Sequence, residues 1–386
     1  MKNIKLMNKI AKIGTDVFDS NLYNVSDNAE APVAMMVRSA ALHDMEFNKE
    51  LLCIARCGAG VNNIPVERCA EEGIVVFNTP GANANGVKEL TIAALMLASR
   101  NIVGGINWAT TLKGTEGVAK QVEAGKGKFA GTEIAGKSLG VIGLGAIGGM
   151  VANAADSLGM QVYGCDPFLT VNAAWNLSRS VKHASSFEDI FKTCDYITLH
   201  VPATKDTKGM INKDTLAMMK DGVKIINLAR ADLVNSEDMK AAIESGKVSS
   251  YVVDFPTDDT VGVDGIVTIP HLGASTAESE DNCAVMAAKQ LVDFLERGNI
   301  VNSVNYPNVS LPHTADCRVC IMHKNNPGLL SNFTTAFSNE NINIENLANG
   351  SKGEFAYTII EVNGTLPESV VEAINNVDGV IKVIVL

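Results

Sequence analysis

Residues 137–149, KSLGVIGLGAIGG, combine a short apolar run with three spaced glycines, and this combination decides the fold of the chain. The run at 138–142 predicts a buried strand, and residues 146–158 predict a helix packed against it. Gly143, Gly145 and Gly148 lie between the two and give the pattern G-x-G-x-x-G. The glycines of this pattern allow a tight turn, close approach of a pyrophosphate to the backbone, and close packing of helix on strand.

The residues after this pattern strengthen its interpretation. A second predicted strand at 161–165 ends at Asp166, at the spacing where an acid binds the ribose hydroxyls of a dinucleotide. The start of the intervening helix offers free N–H groups and the positive end of a dipole to phosphates. A carboxylate at Asp166 repels a 2′-phosphate, which favours NAD over NADP. A glycine-rich turn without a ligand is the alternative.

Composition limits the possible classes of protein. The sequence has 386 residues, is 46% hydrophobic and 19% charged, and carries a formal net charge of −11. This length predicts two or three domains, and the acidic balance argues against a nucleic-acid partner. No apolar run approaches the roughly 20 residues of a membrane span. The N-terminus lacks a signal-peptide pattern and the eight cysteines are scattered, so we expect a cytoplasmic protein with reduced thiols and no metal site.

Short apolar runs alternate with helices over the first part of the chain. The predicted parallel strands are 34–37, 51–55 and 74–77, and the predicted helices are 65–72 and 89–99. Polar loops follow the strands, beginning with RSAALHD at Arg38, RCGAGVNNI at Arg56 and NTPGANANG at Asn78. Ligands of parallel sheets bind at the carboxyl ends of the strands, so these loops are candidate binding loops.

Residues 101–136 are rich in Gly and Lys and predict a crossover into the glycine-motif domain. Further strands of that domain are predicted at 196–200, 223–228, 249–253 and 266–269. Ser186 and Ser236 are the predicted N-caps of two helices between them. Ser275 with Glu278 predicts a capping box that opens a helix over 277–297.

The last part of the chain predicts a strand–helix–strand–strand–helix–strand unit. Its strands are predicted at 317–322, 342–347, 355–362 and 379–386, and its helices at 327–338 and 367–376. Such a four-stranded sheet leaves edge strands exposed, so we expect pairing between subunits, as a dimer or a tetramer.

Three places beyond the glycine motif carry side chains suited to chemistry. Arg230 follows a predicted strand and suits bidentate binding of a substrate carboxylate. His271 also follows a strand, and imidazole can take a hydroxyl proton as hydride leaves carbon. Of the acids Asp254 and Asp258, one could bind the cofactor and the other could favour the protonated form of His271. A surface arginine and a structural histidine are the alternatives.

The ordered motifs GLGAIG, HVPAT, NLAR, DFPTD and PHLGAST, with VRSA, ARCGAGVNN and NTPGAN upstream, resemble those of the D-2-hydroxyacid dehydrogenases. The C-terminal unit resembles an ACT domain, with HKNNPG matching its first loop. The resemblance implies an α/β chain with a doubly wound NAD domain, a flavodoxin-like substrate domain and a ferredoxin-like ACT domain. The implied bounds are 98–281 for the NAD domain, 1–97 with 282–310 for the substrate domain, and 315–386 for the ACT domain.

The resemblance also implies a role for individual residues. Arg230 would bind the substrate carboxylate, and His271 would be the general acid/base, with Asp258 as its partner. Asp258 stands where the family usually has glutamate, and Ala231 where it commonly has glycine. The implied cofactor contacts are Gly143, Gly145, Ala146, Ile147, Gly148, Asp166, Leu228, Ala229, Arg230, Asp254, His271, Gly273 and Ala274. The implied substrate contacts are Arg38, Arg56, Gly58, Ala59, Gly60 and Asn78, together with Arg230 and His271.

Within this family, the chain resembles the members that oxidise 3-phosphoglycerate to 3-phosphohydroxypyruvate with NAD, at the first step of L-serine biosynthesis. His323 and Asn325, expected in the loop that enters a helix, and Asn343, expected at the start of a strand, match effector contacts and imply feedback by L-serine. A dehydrogenase for another D-2-hydroxy acid stays open. A non-enzymatic NAD-sensing protein also stays open, because the family includes transcriptional corepressors.

Overall fold

The computed structural model describes all 386 residues, and its contacts divide the chain into two compact units. The first unit comprises Met1–Asn83 and Glu280–Leu386, and the second comprises Ala84–Ser279. No single helix has both the length and the apolar composition of a membrane span. The helices Ala84–Ser99 and Ile102–Thr111 have that length and composition only when they are taken together, and the chain bends by 70° between them.

The N-terminal part of the first unit is built on a five-stranded parallel sheet. Its strands are β1 (Lys2–Leu6), β2 (Tyr23–Ser26), β3 (Ala34–Val37), β4 (Cys53–Arg56) and β5 (Val75–Phe77), with helices α1 (Lys12–Thr15) and α2 (Val66–Glu71). The strand order is β2-β1-β3-β4-β5, which is the flavodoxin-like order. Strands β3 and β5 are buried throughout, as expected of parallel strands covered on both faces.

The second unit is a doubly wound domain around a seven-stranded parallel sheet. Its strands are β6 (Ser138–Ile142), β7 (Gln161–Cys165), β8 (Lys182–His183), β9 (Tyr196–Leu199), β10 (Val223–Asn227), β11 (Val248–Val253) and β12 (Ile266–Thr268). Its helices are α3 (Ala84–Ser99), α4 (Ile102–Thr111), α5 (Val118–Gly125), α6 (Ala146–Ser157), α7 (Val171–Trp175), α8 (Phe187–Thr193), α9 (Lys213–Met218) and α10 (Ser236–Glu244).

The strand order of this sheet is β12-β11-β10-β9-β6-β7-β8. The order reverses at β6, and this switch point is where ligands bind in sheets of this kind. Ile142 and Ile225 belong to one apolar cluster of this unit, and Leu139 and Ile226 belong to a second. The carboxyl ends of β6, β7, β10, β11 and β12 carry the residues of this unit that the sequence singled out.

Helix α11 (Ala277–Arg297) precedes the C-terminal sheet of β13 (Cys317–Lys324), β14 (Asn346–Lys352), β15 (Phe355–Val362) and β16 (Val380–Val385). Helices α12 (Leu329–Asn339) and α13 (Glu368–Asn375) complete the ferredoxin-like unit, whose strand order is β14-β15-β13-β16, with every pair antiparallel. The predicted fold class, with its doubly wound, flavodoxin-like and ferredoxin-like parts, is therefore confirmed.

The two faces of the antiparallel sheet pack differently. Val319 and Ile321 of β13 belong to the same cluster as Phe333 and Phe337 of α12. On the other face, Cys320 and Tyr357 join the core that contains Ile4 and Ala55 of the first sheet. A buried ion pair of Arg318 with Glu361, 2.6 Å apart, lies at this second face, and Arg318 also donates to the carbonyl of Arg297 at the end of α11. The C-terminal sheet thus shares its core with the N-terminal sheet.

The structure also corrects several predictions. Residues 101–136 hold α4, α5 and a 3₁₀ turn rather than a plain crossover. Strands β1, β2 and β8 were not predicted, and β14 lies several residues beyond the predicted 342–347. Ser186 caps α8 as predicted, but Asn235 rather than Ser236 caps α10. The Ser275–Glu278 capping box is wrong, because the hydroxyl of Thr276 accepts from the backbone nitrogen of Ser279 instead.

Candidate active site

The loop between β6 and α6 has the steric features of a pyrophosphate cradle. Gly143 has a φ of 87°, and a Cβ there would lie 2.6 Å from the His200 carbonyl oxygen. A Cβ on Gly148 would lie 1.9 Å from the carbonyl oxygen of Gly143. A Cβ on Gly145 would meet no atom within 4 Å, so this glycine borders open space. Two glycines are therefore needed by the protein itself, and the third leaves room for a ligand.

Helix α6 begins at this open space without a side-chain cap, so its first N–H groups are available to an anion. Asp166 stands beside it. Its Oδ2 accepts the Leu144 N–H at 2.8 Å, and its Oδ1 accepts the Phe168 N–H at 2.9 Å. These bonds hold the carboxylate against the glycine loop, and the residues present fit a dinucleotide.

Arg230 lies in a turn after β10 that a buried asparagine holds. The Asn227 Oδ1 accepts from the backbone nitrogens of Ala229 and Arg230 at 3.1 and 3.3 Å. The Asn227 Nδ2 donates to the Arg230 carbonyl at 2.8 Å and to the Tyr251 hydroxyl at 3.2 Å. Asn227 is fully buried, so this turn is rigidly placed.

His271 has the left-handed φ of 53°, which is uncommon for a residue with a side chain and marks local strain. A buried acid maintains that turn. The two carboxylate oxygens of Asp254 accept the backbone N–H groups of Leu272 and Gly273, each at 2.8 Å. Burial raises the pKa of Asp254, and these hydrogen bonds together with the charge of His271 oppose the rise. Asp254 therefore orients the turn that carries the histidine.

The ring of Phe255 lies against both functional side chains. Its centroid is 4.7 Å from that of the His271 ring and 5.9 Å from the Arg230 guanidinium carbon. No ion pair joins Asp258 to His271, and the neighbouring Asp259 binds Lys240 at 3.2 Å. The pairing of Asp258 with His271 stays a prediction.

The predicted phosphate-binding arginines belong to the first unit. Arg38 follows β3, and Asn8 fixes its backbone by accepting from the N–H groups of Arg38, Ser39 and Ala40 at 3.0–3.1 Å. The guanidinium of Arg38 donates to the carboxylate of Glu280. Arg56 ends β4, and its guanidinium lies against the backbone of Gly58, where a Cβ would be 1.3 Å from Nη1.

The remaining predicted substrate contacts form one turn. Asn78 donates from its side chain to the Ala59 carbonyl at 2.7 Å, so it supports the turn at 58–60 rather than extending from it. The backbone nitrogen of Thr79 binds the Gly58 carbonyl at 3.1 Å. The Asn78 loop and the Arg56 loop are thereby held as a single surface of the first unit.

Two parts of the chain match models of known protein families. Residues 94–273 match the family model of the D-isomer specific 2-hydroxyacid dehydrogenase NAD-binding domain, and residues 320–382 match an AHAS small subunit-like ACT domain. The second unit therefore contains a D-2-hydroxyacid dehydrogenase NAD-binding domain, and the first contains an ACT domain. These two matches account for the glycine loop of the second unit and for the antiparallel sheet of the first.

Matches to D-3-phosphoglycerate dehydrogenases extend over most of the chain. The D-3-phosphoglycerate dehydrogenase of Haemophilus influenzae is 29% identical over 89% of this chain and 83% of its own length. That of Bacillus subtilis is 32% identical over 80% of this chain, which spans only 58% of that longer relative. The NAD⁺-bound 3-phosphoglycerate dehydrogenase structure from Entamoeba histolytica has a TM-score of 0.61 at 25% identity, and the match covers 79% of this chain and 98% of that one.

Several residues that shape the candidate site were not predicted from the sequence. They are Asn8, His200, Asn227, Phe255 and Glu280. His200 follows β9; its Nε2 lies 3.0 Å from the Thr198 hydroxyl, and burial lowers its pKa to about 4. Asn227 alone left a usable signal, since it ends a strand next to a binding loop, whereas Asn8 lies two residues after the end of β1.

The predicted effector residues of the ACT domain do not share one environment. His323 lies inside β13 rather than in the following loop, and it is buried, with a ring nitrogen 2.8 Å from the Thr358 hydroxyl. Asn325 is exposed and donates to the Gly353 carbonyl at 3.2 Å. Asn343 is also exposed, and it precedes β14 instead of starting it. The two amides are accessible to a ligand, whereas both ring nitrogens of His323 already have partners.

Proposed function

We propose that the protein oxidises 3-phosphoglycerate to 3-phosphohydroxypyruvate with NAD, as the first step of L-serine biosynthesis. The observation that carries the proposal is the pair of arginines after adjacent strands of the first unit. Val37 of β3 is the register partner of Arg56 of β4, and Arg38 directly follows Val37, so the two arginines lie at the same edge of the parallel sheet. Two guanidinium groups can donate charged hydrogen bonds to a phosphate dianion, whereas an uncharged substrate tail would leave them without an anionic acceptor.

The second unit carries groups suited to the carboxylate and the hydroxyl of a 2-hydroxy acid. Arg230 offers a fork of donors to the carboxylate and attracts electrons from the C2 oxygen, which stabilises the developing carbonyl. His271 accepts the hydroxyl proton during oxidation and returns it during reduction. Asn227 and Asp254 hold the turns that carry these two side chains, so both groups are placed before the substrate binds.

The residues that would hold NAD are those of the glycine loop and its surroundings: Gly143, Gly145, Ala146, Ile147, Gly148 and Asp166. When bound, this cofactor supplies the acceptor for the hydride that leaves C2. The uncapped start of α6 binds the pyrophosphate, and Asp166 accepts from ribose hydroxyls and disfavours a 2′-phosphate.

Steady-state oxidation of a matched substrate set tests this proposal. We expect kcat/KM for 3-phosphoglycerate to exceed that for D-glycerate and D-lactate by about 100-fold or more, because two charged hydrogen-bonding groups are lost with the phosphate. A higher kcat/KM for D-lactate or D-glycerate would indicate a dehydrogenase for another D-2-hydroxy acid. An absence of turnover with all three substrates in both directions would contradict enzymatic activity.

We further propose that the ACT domain binds a small amino acid and that L-serine is this effector. Support comes from the two exposed amides of Asn325 and Asn343, which can bind carboxylate, amine and hydroxyl groups. His323 holds β13 in place through Thr358, at the end of the strand from which Asn325 extends. Inhibition requires two states of the enzyme, of which serine favours the slower.

Titration of activity with L-serine, beside D-serine as the stereochemical control, tests the effector. Asn325→Ala and Asn343→Ala are each expected to raise the half-inhibitory concentration, whereas Asn339→Ala, an exposed asparagine at the end of α12, should leave it unchanged. No response to millimolar L-serine, with no binding by calorimetry, would contradict the proposal.

We also propose that the protein is a homo-oligomer, as a dimer or a tetramer. Strand β14 is an unpaired edge of the C-terminal sheet, and pairing with a second copy would satisfy its free backbone groups. Light scattering coupled to gel filtration distinguishes one, two and four copies, and a monomeric mass at micromolar concentration would overturn this proposal.

A further inference from the structure

The guanidinium of Arg38 already has an anionic partner in the first unit. Its Nη2 donates to the Oε1 of Glu280, which lies in the first turns of α11. Side-chain exposures of 46% for Arg38 and 44% for Glu280 place the pair where a solute can reach it. An exposed ion pair is weakly bound and can exchange partners.

The same pair is next to Arg56. Arg38 directly follows Val37 of β3, whose register partner on β4 is Arg56, and the charges of Arg38, Arg56 and Glu280 all act on the pKa of the Cys283 thiol. The guanidinium of Arg56 is packed against Gly58, whereas Asn8 fixes only the backbone of Arg38 and leaves its guanidinium to choose among acceptors. Two positive groups and one negative group therefore share the region, and Arg38 is the member that can change partner.

We propose that Glu280 is a specificity-determining residue that makes the region of Arg38 and Arg56 selective for a dianionic phosphate over a monoanionic carboxylate. This inference rests on the function proposed above. A substrate carboxylate gains little by replacing the carboxylate already on Arg38. A phosphate has a second charge and a third oxygen, so it displaces Glu280 and engages both arginines. A substrate with an uncharged tail leaves the ion pair of Arg38 with Glu280 intact.

The matched probe is D-2-hydroxyglutarate, whose terminal carboxylate takes the position of the phosphate of 3-phosphoglycerate. In the Glu280→Gln variant, Arg38 has no competing charge. We expect kcat/KM for D-2-hydroxyglutarate to rise by about tenfold, the value of one charged hydrogen bond. The KM for 3-phosphoglycerate should fall by about two- to fivefold with kcat unchanged, because only a screened repulsion is removed. The kinetic constants for D-glycerate, whose tail is uncharged, should be the same in the wild type and in Glu280→Gln.

Two further variants identify the cause. Glu280→Asp keeps the charge and should keep the wild-type preference. In Arg38→Ala, the additional change Glu280→Gln should have no effect on the ratio of the two kcat/KM values. A Glu280→Gln enzyme that retains the wild-type ratio, including one that still fails to oxidise D-2-hydroxyglutarate, overturns the inference. A wild-type enzyme with no preference for 3-phosphoglycerate over D-glycerate overturns the proposed function instead.

Discussion

Asn227 and Arg230 are joined by two hydrogen bonds across a tight turn: the Asn227 Oδ1 accepts the Arg230 N–H at 3.3 Å, and its Nδ2 donates to the Arg230 carbonyl at 2.8 Å. Asn227 is fully buried, whereas the guanidinium that it places is exposed. An amide is required because the turn presents a donor and an acceptor to one side chain.

Replacement of Asn227 tests whether this turn places Arg230. Asn227→Ala should lower kcat/KM for 3-phosphoglycerate by about tenfold or more, since displacement of one charged hydrogen bond has that effect. Asn227→Asp, which keeps the shape but loses the donor, should behave similarly. NAD affinity, measured by fluorescence titration, should change far less. Unaltered kcat/KM in both variants would contradict a placing role.

Two glycine substitutions in the β6–α6 loop should affect different properties, one the affinity for NAD and the other the stability of the fold. Gly145→Ala faces open space, so its unfolding free energy should stay near that of the wild type while the KM for NAD rises. Gly148→Ala puts a Cβ against the Gly143 carbonyl and should destabilise the fold by about 1–3 kcal/mol. Urea unfolding and NAD kinetics on both variants measure the difference. A Gly145→Ala enzyme with wild-type NAD kinetics would argue against a phosphate at this position.

Replacement of Asp254 and of Asp258, the two candidate acids for His271, should have different effects. Asp254→Asn should lower kcat by about tenfold or more, because the amide NH2 of the new side chain would face one of the two backbone N–H donors. Asp258→Asn should leave kcat near normal at high pH and move the acidic limb of the oxidation profile to lower pH, because a nearby carboxylate favours the protonated imidazole. A profile that moves in Asp254→Asn and not in Asp258→Asn would assign the partner of His271 to Asp254.

Stability should fall on acidification because of His200. Burial lowers its pKa in the folded state to about 4, from an ordinary value of 6.5. Above the ordinary value neither state is protonated, so His200 has no effect there. Between these two values the unfolded chain binds a proton that the folded chain excludes, so the unfolding free energy falls by up to about 1.4 kcal/mol per pH unit. Urea unfolding at pH 7 and pH 5 should show a smaller loss in His200→Gln, and equal losses in both proteins would contradict the assignment.

Strands that are mostly buried were predicted well from the sequence. The observed bounds of β3, β6, β7 and β15 are those predicted, because a short apolar run between turn residues is typical of a buried strand. Helices α4 and α5 were missed because neither has a buried residue, so their sequences lack a repeating core face. Strand β14 was misplaced because NLANGSK is a polar edge strand held by backbone pairing with β15.

The sequence predicted which side chains carry the chemistry of the site, but not the residues that hold those side chains in place. Arg230 and His271 stand at strand ends in a recognisable order. Glu280 lies 242 residues from its partner Arg38, and nothing in the local sequence of either predicts that pairing. Asp254 was expected beside the cofactor, yet its oxygens are both committed to the turn after His271, a role that depends on backbone geometry alone.

Transfer of deuterium from C2-deuterated 3-phosphoglycerate tests the proposed reaction most directly. After incubation of the purified protein with this substrate and NAD, mass spectrometry of the reduced cofactor should show one deuterium. His271→Ala should slow its appearance by about 100-fold or more, the usual contribution of a positioned acid/base. Reduced cofactor without deuterium, no reduced cofactor at all, or an undiminished rate in the variant would contradict the account.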